Sequence, residues 1–330
     1  MMNQTRTQTL LPAVARIAAA AVLALAATGV VAADAASAPA AAPKAVSKKA
    51  AAKLPSFATP EAGFEALVAA LRAKDAAELD RLFGPAGKRL VHSGDVEADH
   101  ASWANFVAEY DAKHRIEMLA DDKAKLSIGT TDWPMPIPLV KQATGWVFDT
   151  DAGDEEIIAR RIGRNELDAI EVCRAFIDMQ RDYAEVDRNG NGLLEYAPKL
   201  ISSPGKHDGL YWPTSAGEPP SPAGPRLARA NPAKLAARTA ATPFHGYYFR
   251  ILTRQGKHAD GGALDYRVGG NLVGGVALLA WPASFLASGV KTFQCSMAGK
   301  VYERNLGPNT AAAAAKITAF DPGPGWNKVE

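Results

Sequence analysis

The sequence predicts an α+β protein, and two patterns support this prediction. Apolar residues recur at helical spacing over 59–110 and again over 154–186, and the second stretch contains no proline. Each stretch is followed by short runs rich in Val, Ile, Phe and Tyr that are separated by turn residues, which is typical of antiparallel strands. Helices that precede strands, rather than alternating with them, favour the α+β class.

The first 32 residues have the order of a secretion signal. Arg6 and Arg16 supply positive charge, an apolar run follows over 17–31, and small residues surround Ala32. This run is shorter than the roughly 18–20 apolar residues that a membrane-spanning helix needs. We therefore expect cleavage, export to the periplasm and no membrane span after cleavage. The alternative is a retained N-terminal anchor.

Composition divides the rest of the chain. Residues 33–55 consist almost entirely of Ala, Pro, Lys and Ser, which predicts a disordered tether. We expect two α+β domains after it, over 56–150 and 151–330. The proline-rich stretch 213–243 is interpreted as a surface excursion of the second domain with at most one short helix, over 233–238.

Helix boundaries follow from local signals. Thr59 can cap a helix in which Pro60 takes the first position. A second helix is expected over 76–83, ending at Gly84 and Pro85, and a third over 100–110. The stretch 154–186 predicts one long helix, and a break near Gly163 is expected because helices of this length are uncommon.

Strands are predicted in two groups. The first group lies at 124–129 and in a hairpin of 137–140 with 146–148. The second group follows the long helix, at 246–253, 264–268, 273–281, 290–296 and 300–304.

Several long strings resemble the bacterial family called domain of unknown function 2950, and they cover nearly the whole chain after the tether. They are Asp132-Trp133-Pro134, Pro136-Ile137-Pro138-Leu139-Val140, Ala159-Arg160-Arg161-Ile162-Gly163-Arg164-Asn165-Glu166-Leu167, Ser203-Pro204-Gly205-Lys206-His207-Asp208-Gly209-Leu210-Tyr211-Trp212-Pro213, Phe244-His245-Gly246-Tyr247-Tyr248-Phe249-Arg250-Ile251-Leu252 and Trp281-Pro282-Ala283. This resemblance implies no particular activity, as the family name itself states.

Two further resemblances concern the fold of each half. The order of helices and hairpin over 56–150 resembles the cone-shaped domains of the nuclear transport factor two (NTF2-like) group. The second half resembles the globular part of type IV pilins, through Asn165-Glu166, Tyr183-Ala184, Gly246-Tyr247-Tyr248-Phe249 and Gly289-Val290-Lys291-Thr292-Phe293. Pilins open directly on their long helix, whereas a whole domain precedes it here. The resemblance therefore implies a soluble pilin-like module rather than a filament subunit.

A candidate calcium loop follows the long helix. Oxygen-bearing side chains occur at its first, third and fifth positions, a glycine at the sixth, and a backbone carbonyl is available at the seventh. Pro198 stands where such loops have a bidentate Glu, so weak binding is expected. The alternative is a turn capped by its own Asp and Asn side chains. The candidate ligands are Asp187, Asn189, Asn191, Leu193 and Glu195.

His207, Asp208 and His245 are the candidate catalytic residues. A histidine beside an aspartate can form an oriented general base, which would suit a periplasmic hydrolase. No Gly-x-Ser-x-Gly motif accompanies them, and an aromatic-rich loop is more often structural. A non-catalytic binding or assembly role in the cell envelope is therefore the leading hypothesis, and the hydrolase is the alternative.

Cys173 and Cys295 can pair in an oxidising compartment, or remain two separate buried thiols. The histidines have no zinc-type spacing and no phosphate-binding motif occurs, so calcium is the one cofactor considered. The net charge of +2 and the lack of a basic stripe exclude a nucleic-acid partner. An envelope protein or a small ligand is the expected partner.

Overall fold

The computed structural model describes residues 54–214, 217–224 and 242–329, and these residues belong to one compact unit. They contain helices and antiparallel sheets, so the predicted α+β class is confirmed. The signal segment, nearly all of the tether and the short helix predicted over 233–238 lie outside the described residues. No helix in the described part of the chain is both long and apolar enough to cross a membrane.

Three helices open the fold: α1 (Pro60–Ala73), α2 (Ala76–Val91) and α3 (Val96–Ala112). The side chain of Thr59 caps α1 as predicted, since it accepts a hydrogen bond from the N–H of Ala62 at 3.3 Å. The predicted end of the second helix at Gly84 is confirmed as a break between two helical segments. Gly84 takes a φ of 66°, which kinks the chain, and the helix then resumes and runs to Val91.

The first sheet contains β1 (His114–Ala120), β2 (Lys123–Ile128), β3 (Trp133–Pro134), β4 (Leu139–Gln142) and β5 (Gly145–Phe148). Its order is β1-β2-β4-β5, with β3 also paired to β2, and every pairing is antiparallel. The predicted hairpin is present, but its strands extend until only Ala143 and Thr144 remain as the turn. Helices and sheet enclose a first core that includes Phe64, Leu79, Leu82, Phe83, Leu126, Leu139 and Phe148.

The long helix α4 (Thr150–Ala184) is continuous over 35 residues, so the expected break at Gly163 is wrong. A glycine inside a helix costs about 1 kcal/mol relative to alanine. Packing on both sides of Gly163 outweighs this cost. Toward the N-terminal end, the Thr150 hydroxyl donates to the carbonyl of Phe83 at 2.9 Å. Toward the C-terminal end, Cys173 and Phe176 are fully buried in a second core.

The second sheet contains β6 (Tyr247–Leu252), β11 (Ala277–Pro282), β12 (Lys291–Ser296), β13 (Val301–Asn305) and β14 (Asn327–Lys328), in the order β14-β13-β12-β11-β6. Two short ribbons accompany it, β7 (Arg254–Gln255) with β8 (Leu264–Asp265) and β9 (Arg267–Val268) with β10 (Asn271–Leu272). The helix α5 (Thr310–Lys316) follows β13. The strand predicted at 264–268 is therefore two short strands, and that predicted at 273–281 begins only at Ala277.

Both cysteines lie in the second core. Cys173 on α4 and Cys295 on β12 are fully buried, and the thiol of Cys295 lies 3.8 Å from the carbonyl oxygen of Cys173. Burial raises the pKa of the Cys295 thiol well above its ordinary value. The two residues therefore meet in space across the helix–sheet interface, and both carry free thiols here. A disulfide between them stays a prediction.

Polar side chains of α4 hold the turn that leads into β12. The carboxylate of Glu166 accepts hydrogen bonds from the backbone N–H groups of Val290, at 2.8 Å, and Lys291, at 3.0 Å. The amide of Asn165 donates to the carbonyl of Ser288 at 2.9 Å. These contacts fix the position of α4 along the sheet, which the apolar core alone would leave less specific.

Replacing Glu166 by Ala should lower the stability of the protein. The substitution leaves two half-buried N–H groups without their acceptor, which costs about 1–3 kcal/mol. For a domain of this size, the melting temperature should fall by about 2–4 °C per kcal/mol. The control is Glu155→Ala on an exposed face of the same helix. Equal melting temperatures for the two variants, measured by circular dichroism, would contradict the role assigned to Glu166.

Candidate ligand-binding cleft

The C-terminal end of α4 positions two segments that follow it. Gln180 is fully buried, and its amide exchanges two hydrogen bonds with the backbone of Ala197, at 3.0 and 2.8 Å. One turn later, the hydroxyl of Tyr183 donates to the carbonyl of His207 at 2.8 Å. Since both side chains project from one rigid helix, they hold the segments around residues 197 and 207 at fixed positions.

The loop 187–192 folds around the side chain of Asp187. One carboxylate oxygen accepts from the N–H groups of Asn189 and Gly190, and the other accepts from Gly192 at 2.8 Å. These hydrogen bonds, led by that of Gly192, lower the pKa of Asp187 below its ordinary value. Gly190 and Gly192 take φ values of 73° and 83°, which glycine adopts without strain. The loop is therefore closed by local interactions.

Glu195 closes the other side of this loop. Its Oε1 accepts from the amide groups of Asn189, at 3.0 Å, and Asn191, at 2.5 Å, while its Oε2 accepts from the N–H of Leu272 at 3.2 Å. Burial raises the pKa of Glu195, but these hydrogen bonds outweigh it and the net shift is downward. Four of the five predicted calcium ligands thus take part in this hydrogen-bond network through their side chains.

The fifth predicted ligand, Leu193, takes part in the loop through its N–H, which donates to the side chain of Asn191 at 2.9 Å. A metal contact of the Leu193 carbonyl stays a prediction. Within the described ranges, no cluster of three or more His, Cys, Asp or Glu residues is arranged to bind a metal. The loop instead offers two carboxylates with amide oxygens, a hard-oxygen set suited to Ca²⁺ rather than to zinc.

The loop forms one wall of a cavity of about 420 Å³, which we call the loop cleft. A cavity of this size falls within the range of small-molecule sites. The cleft brings together the candidate calcium loop and the His207–Asp208 segment, which were predicted from the sequence as two separate sites. It is lined by Tyr183, Val186, Arg188, Asn189, Leu193, Glu195, Tyr196, Pro198, Gly205, Lys206, His207 and Asp208.

The carboxylate of Asp208 forms its hydrogen bonds with groups other than His207. Its carboxylate accepts from the ammonium of Lys199 at 2.6 Å, the N–H of Ser203 at 2.7 Å and the Ser203 hydroxyl at 3.0 Å. Burial raises the pKa of Asp208, but these hydrogen bonds outweigh it and lower the pKa to about 2. Asp208 is therefore an ionised anchor of its own loop.

The two candidate histidines have separate partners. The ring of His207 stacks on Trp212 with 4.3 Å between ring centroids. His245 instead lies 2.8 Å from the carboxylate of Asp168 on α4. Neither imidazole is hydrogen-bonded to Asp208 within the described part of the chain, so these residues form no preassembled triad. A catalytic role for them stays a prediction.

Arg188 is a cleft residue that the sequence did not single out. Its guanidinium lies 5.3 Å from the ring centres of both Tyr183 and Trp212. Trp212 is 24 residues away along the chain, so no local pattern links it to Arg188. The aromatic residues at 211–212, close to His207, are the sequence signal that could have pointed to this part of the cleft. They do not indicate that a cation is their partner.

Fold and cleft together define a class: an α+β protein with a polar, aromatic-lined cleft at the end of its longest helix. The chain belongs to the family described as Protein of unknown function (DUF2950), whose profile matches residues 55–329. This match confirms the family resemblance carried by the strings at 132–140, 159–167 and 203–213. Neither the search of curated proteins nor that of solved structures gave a significant match.

The hydrogen bonds of Asp208 predict a pH dependence of stability. Because its pKa is lowered from 3.8 to about 2 by folding, its contribution is complete above about pH 4 and is lost as the pH falls toward 2. Asp208→Asn should therefore cost about 1–2 kcal/mol in urea unfolding at pH 7, and the difference from the native protein should shrink below pH 4. Asp178→Asn, which alters an exposed ion pair on α4, serves as the control. A difference that stays constant down to pH 2 would contradict this role.

Proposed function

We propose that this chain is an exported, non-catalytic binding protein of the cell envelope, and that the loop cleft is its binding site. One observation carries the proposal: a single cavity joins the calcium-type loop to a wall of aromatic and cationic side chains. Binding sites typically combine a concave shape with a few fixed polar groups, and the cleft has both. A small ligand or a segment of an envelope protein is its expected occupant.

Hydrolysis by the His207–Asp208 segment is the less favoured alternative. A hydrolase of this type needs a base that can take a proton from the nucleophile. Among the described residues, the hydroxyl in contact with Asp208 is that of Ser203, and the Lys199 ammonium lies 2.7 Å from it. Lys199 is also paired with the Asp208 carboxylate, at 2.6 Å. The Asp208 carboxylate accepts a hydrogen bond from the Ser203 hydroxyl, but with a pKa of about 2 it is a weak base, so this arrangement does not favour hydrolysis.

A calcium ion would stabilise the loop wall of the cleft. Asp187, Asn189, Asn191 and Glu195 would supply side-chain oxygens, and Leu193 would supply its carbonyl. Rotation of the two amides would direct their oxygens, instead of their nitrogens, toward the ion. Since only two of these ligands are carboxylates and Pro198 occupies the twelfth position, the site would be weak. It would suit the high calcium concentrations found outside the cytoplasm.

Export and the remaining architectural features belong to the same proposal. The signal segment would be removed near residue 32, and residues 33–55 would tether the folded part. The order of the elements supports the NTF2-like and pilin-like resemblances: helices with an antiparallel sheet, then a long helix on a second antiparallel sheet. In the oxidising periplasm, Cys173 and Cys295 would lose two electrons and two protons to the disulfide-forming machinery and become a disulfide.

Intact-mass analysis of the protein recovered from the periplasm checks both the cleavage of the signal segment and the formation of the disulfide. We expect a mass that corresponds to a chain beginning near Ala33, lowered by the mass of two hydrogen atoms. Reduction followed by alkylation under denaturing conditions should then label two cysteines, whereas alkylation before reduction should label neither. A chain that retains residues 1–32 would contradict cleavage, and labelling before reduction would contradict the disulfide.

Calcium binding should appear as a difference in melting temperature between samples with millimolar Ca²⁺ and with chelator. A ligand that binds only the folded state at ten times its Kd adds about 1.4 kcal/mol of stability. For a chain of this size, each kcal/mol of added stability raises the melting temperature by about 2–4 °C. Asp187→Asn keeps the shape of the side chain but removes a charged ligand, so the calcium-dependent shift should become much smaller.

The matched control for this experiment is Asp265→Asn. Asp265 also accepts a backbone hydrogen bond, from Arg267 at 2.9 Å, and lies on β8 outside the candidate loop. Its substitution should leave the calcium-dependent shift unchanged. If the native protein shows no shift with calcium, or if both variants lose it equally, the loop is not a calcium site.

A further inference from the structure

We infer that the loop cleft takes a small ligand with an anionic carboxylate or phosphate group attached to an apolar body, and that Arg188 binds the anionic group. The inference rests on the proposed function, because it requires the cleft to be a binding site. It goes further in assigning the charge of the ligand and the residue that recognises it.

Arg188 is held in place without a charged partner. The guanidinium lies between the rings of Tyr183 and Trp212, and its Nε and Nη2 donate to the carbonyls of Tyr183, at 3.3 Å, and Asp182, at 3.4 Å. Within the described residues, no carboxylate forms an ion pair with it. Arg188 is half-buried, and guanidinium groups match carboxylate and phosphate geometry. Its Nη1 forms no hydrogen bond with the residues that the structure describes.

The other charges of the cleft reinforce this preference. Lys206 is exposed on the lining and forms no ion pair with the residues that the structure describes. The two lining carboxylates are already engaged, Glu195 by amide and backbone donors and Asp208 by Lys199 and Ser203. Among the described residues, Arg188 and Lys206 thus lack ion-pair partners while the two lining carboxylates are engaged, which favours an anionic ligand over a cationic one.

The cleft also provides a surface for an apolar group. Val186 and Leu193 line it while remaining 51% and 42% exposed, although residues of this kind are usually buried. The indole of Trp212 contacts both Arg188 and His207, and its N–H is buried without a hydrogen-bond partner among the residues that the structure describes. Trp212, in contact with both Arg188 and His207, together with the exposed apolar residues, suits a compact ligand with one charged end.

Isothermal titration calorimetry with benzoate, phenyl phosphate and neutral benzamide tests the inference on the purified mature chain. Benzamide has nearly the shape of benzoate but no charge. We expect benzoate or phenyl phosphate to bind, and benzamide to bind at least about tenfold more weakly, because an interaction with a charged group is lost. The stronger of the two anions identifies the carboxylate or the phosphate as the preferred group.

Variants then assign the binding to Arg188. Arg188→Gln should weaken anion binding about tenfold or more, and Arg188→Lys, which keeps the charge but loses the planar fork, should weaken it less. Lys206→Ala should give a smaller loss. The control is Arg174→Gln on the exposed face of α4, where Arg174 pairs with Glu171, and it should bind like the native protein.

Three results would overturn the inference: no binding of either anion, equal binding of benzamide, or unchanged affinity in Arg188→Gln. If Arg188→Gln does not fold, unchanged affinity in both Arg188→Lys and Lys206→Ala has the same meaning.

Repeating the titration with chelator separates the calcium proposal from the anion-binding inference. Anion binding that depends on Arg188, in a protein without a calcium-dependent melting shift, removes only the calcium site. A melting shift without anion binding removes only the present inference.

Discussion

The hydrogen bonds from the N–H groups of Val290 and Lys291 to Glu166 fix how α4 lies on the second sheet, and much of the structure depends on this arrangement. Apolar packing between a helix and a sheet tolerates small sliding movements, whereas two N–H donors directed at one carboxylate do not. Once α4 is fixed, Gln180 and Tyr183 are fixed as well. The two segments that form the walls of the loop cleft then follow from the position of the helix.

Much of the fold could be predicted from local signals. The cap at Thr59 and the apolar runs that form the longer strands of the second sheet act through residues close in sequence, so they were identified correctly. The continuity of α4 through Gly163 could not be deduced in this way, since it depends on two cores that lie at opposite ends of the helix. Strand β1 was missed because its seven residues are half-buried or exposed and show no apolar alternation.

In the cleft, too, features set by residues close in sequence could be predicted, whereas features set by tertiary contacts could not. The loop at 187–195 is closed by hydrogen bonds between near neighbours, so its shape could be anticipated from its sequence. His207 and Asp208 are adjacent in sequence, and adjacency suggested a shared role. Their side chains instead contact different groups, Trp212 and Lys199. The place of Arg188 between two aromatic rings results from tertiary folding, and no pattern of spacing reveals it.

The unbroken length of α4 has a consequence for how the protein unfolds. At 1.5 Å per residue the helix is about 52 Å long; its C-terminal half lies in the second core, and its N-terminal end packs against Phe83 and Ile137 of the first. Loss of either core would expose half of the helix, and a helix propagates cooperatively, so the other half would lose support too. The two cores should therefore open as one cooperative unit, with amide protons along α4 exchanging at similar, slow rates. A protein with two structural halves would in this way behave thermodynamically as a single one.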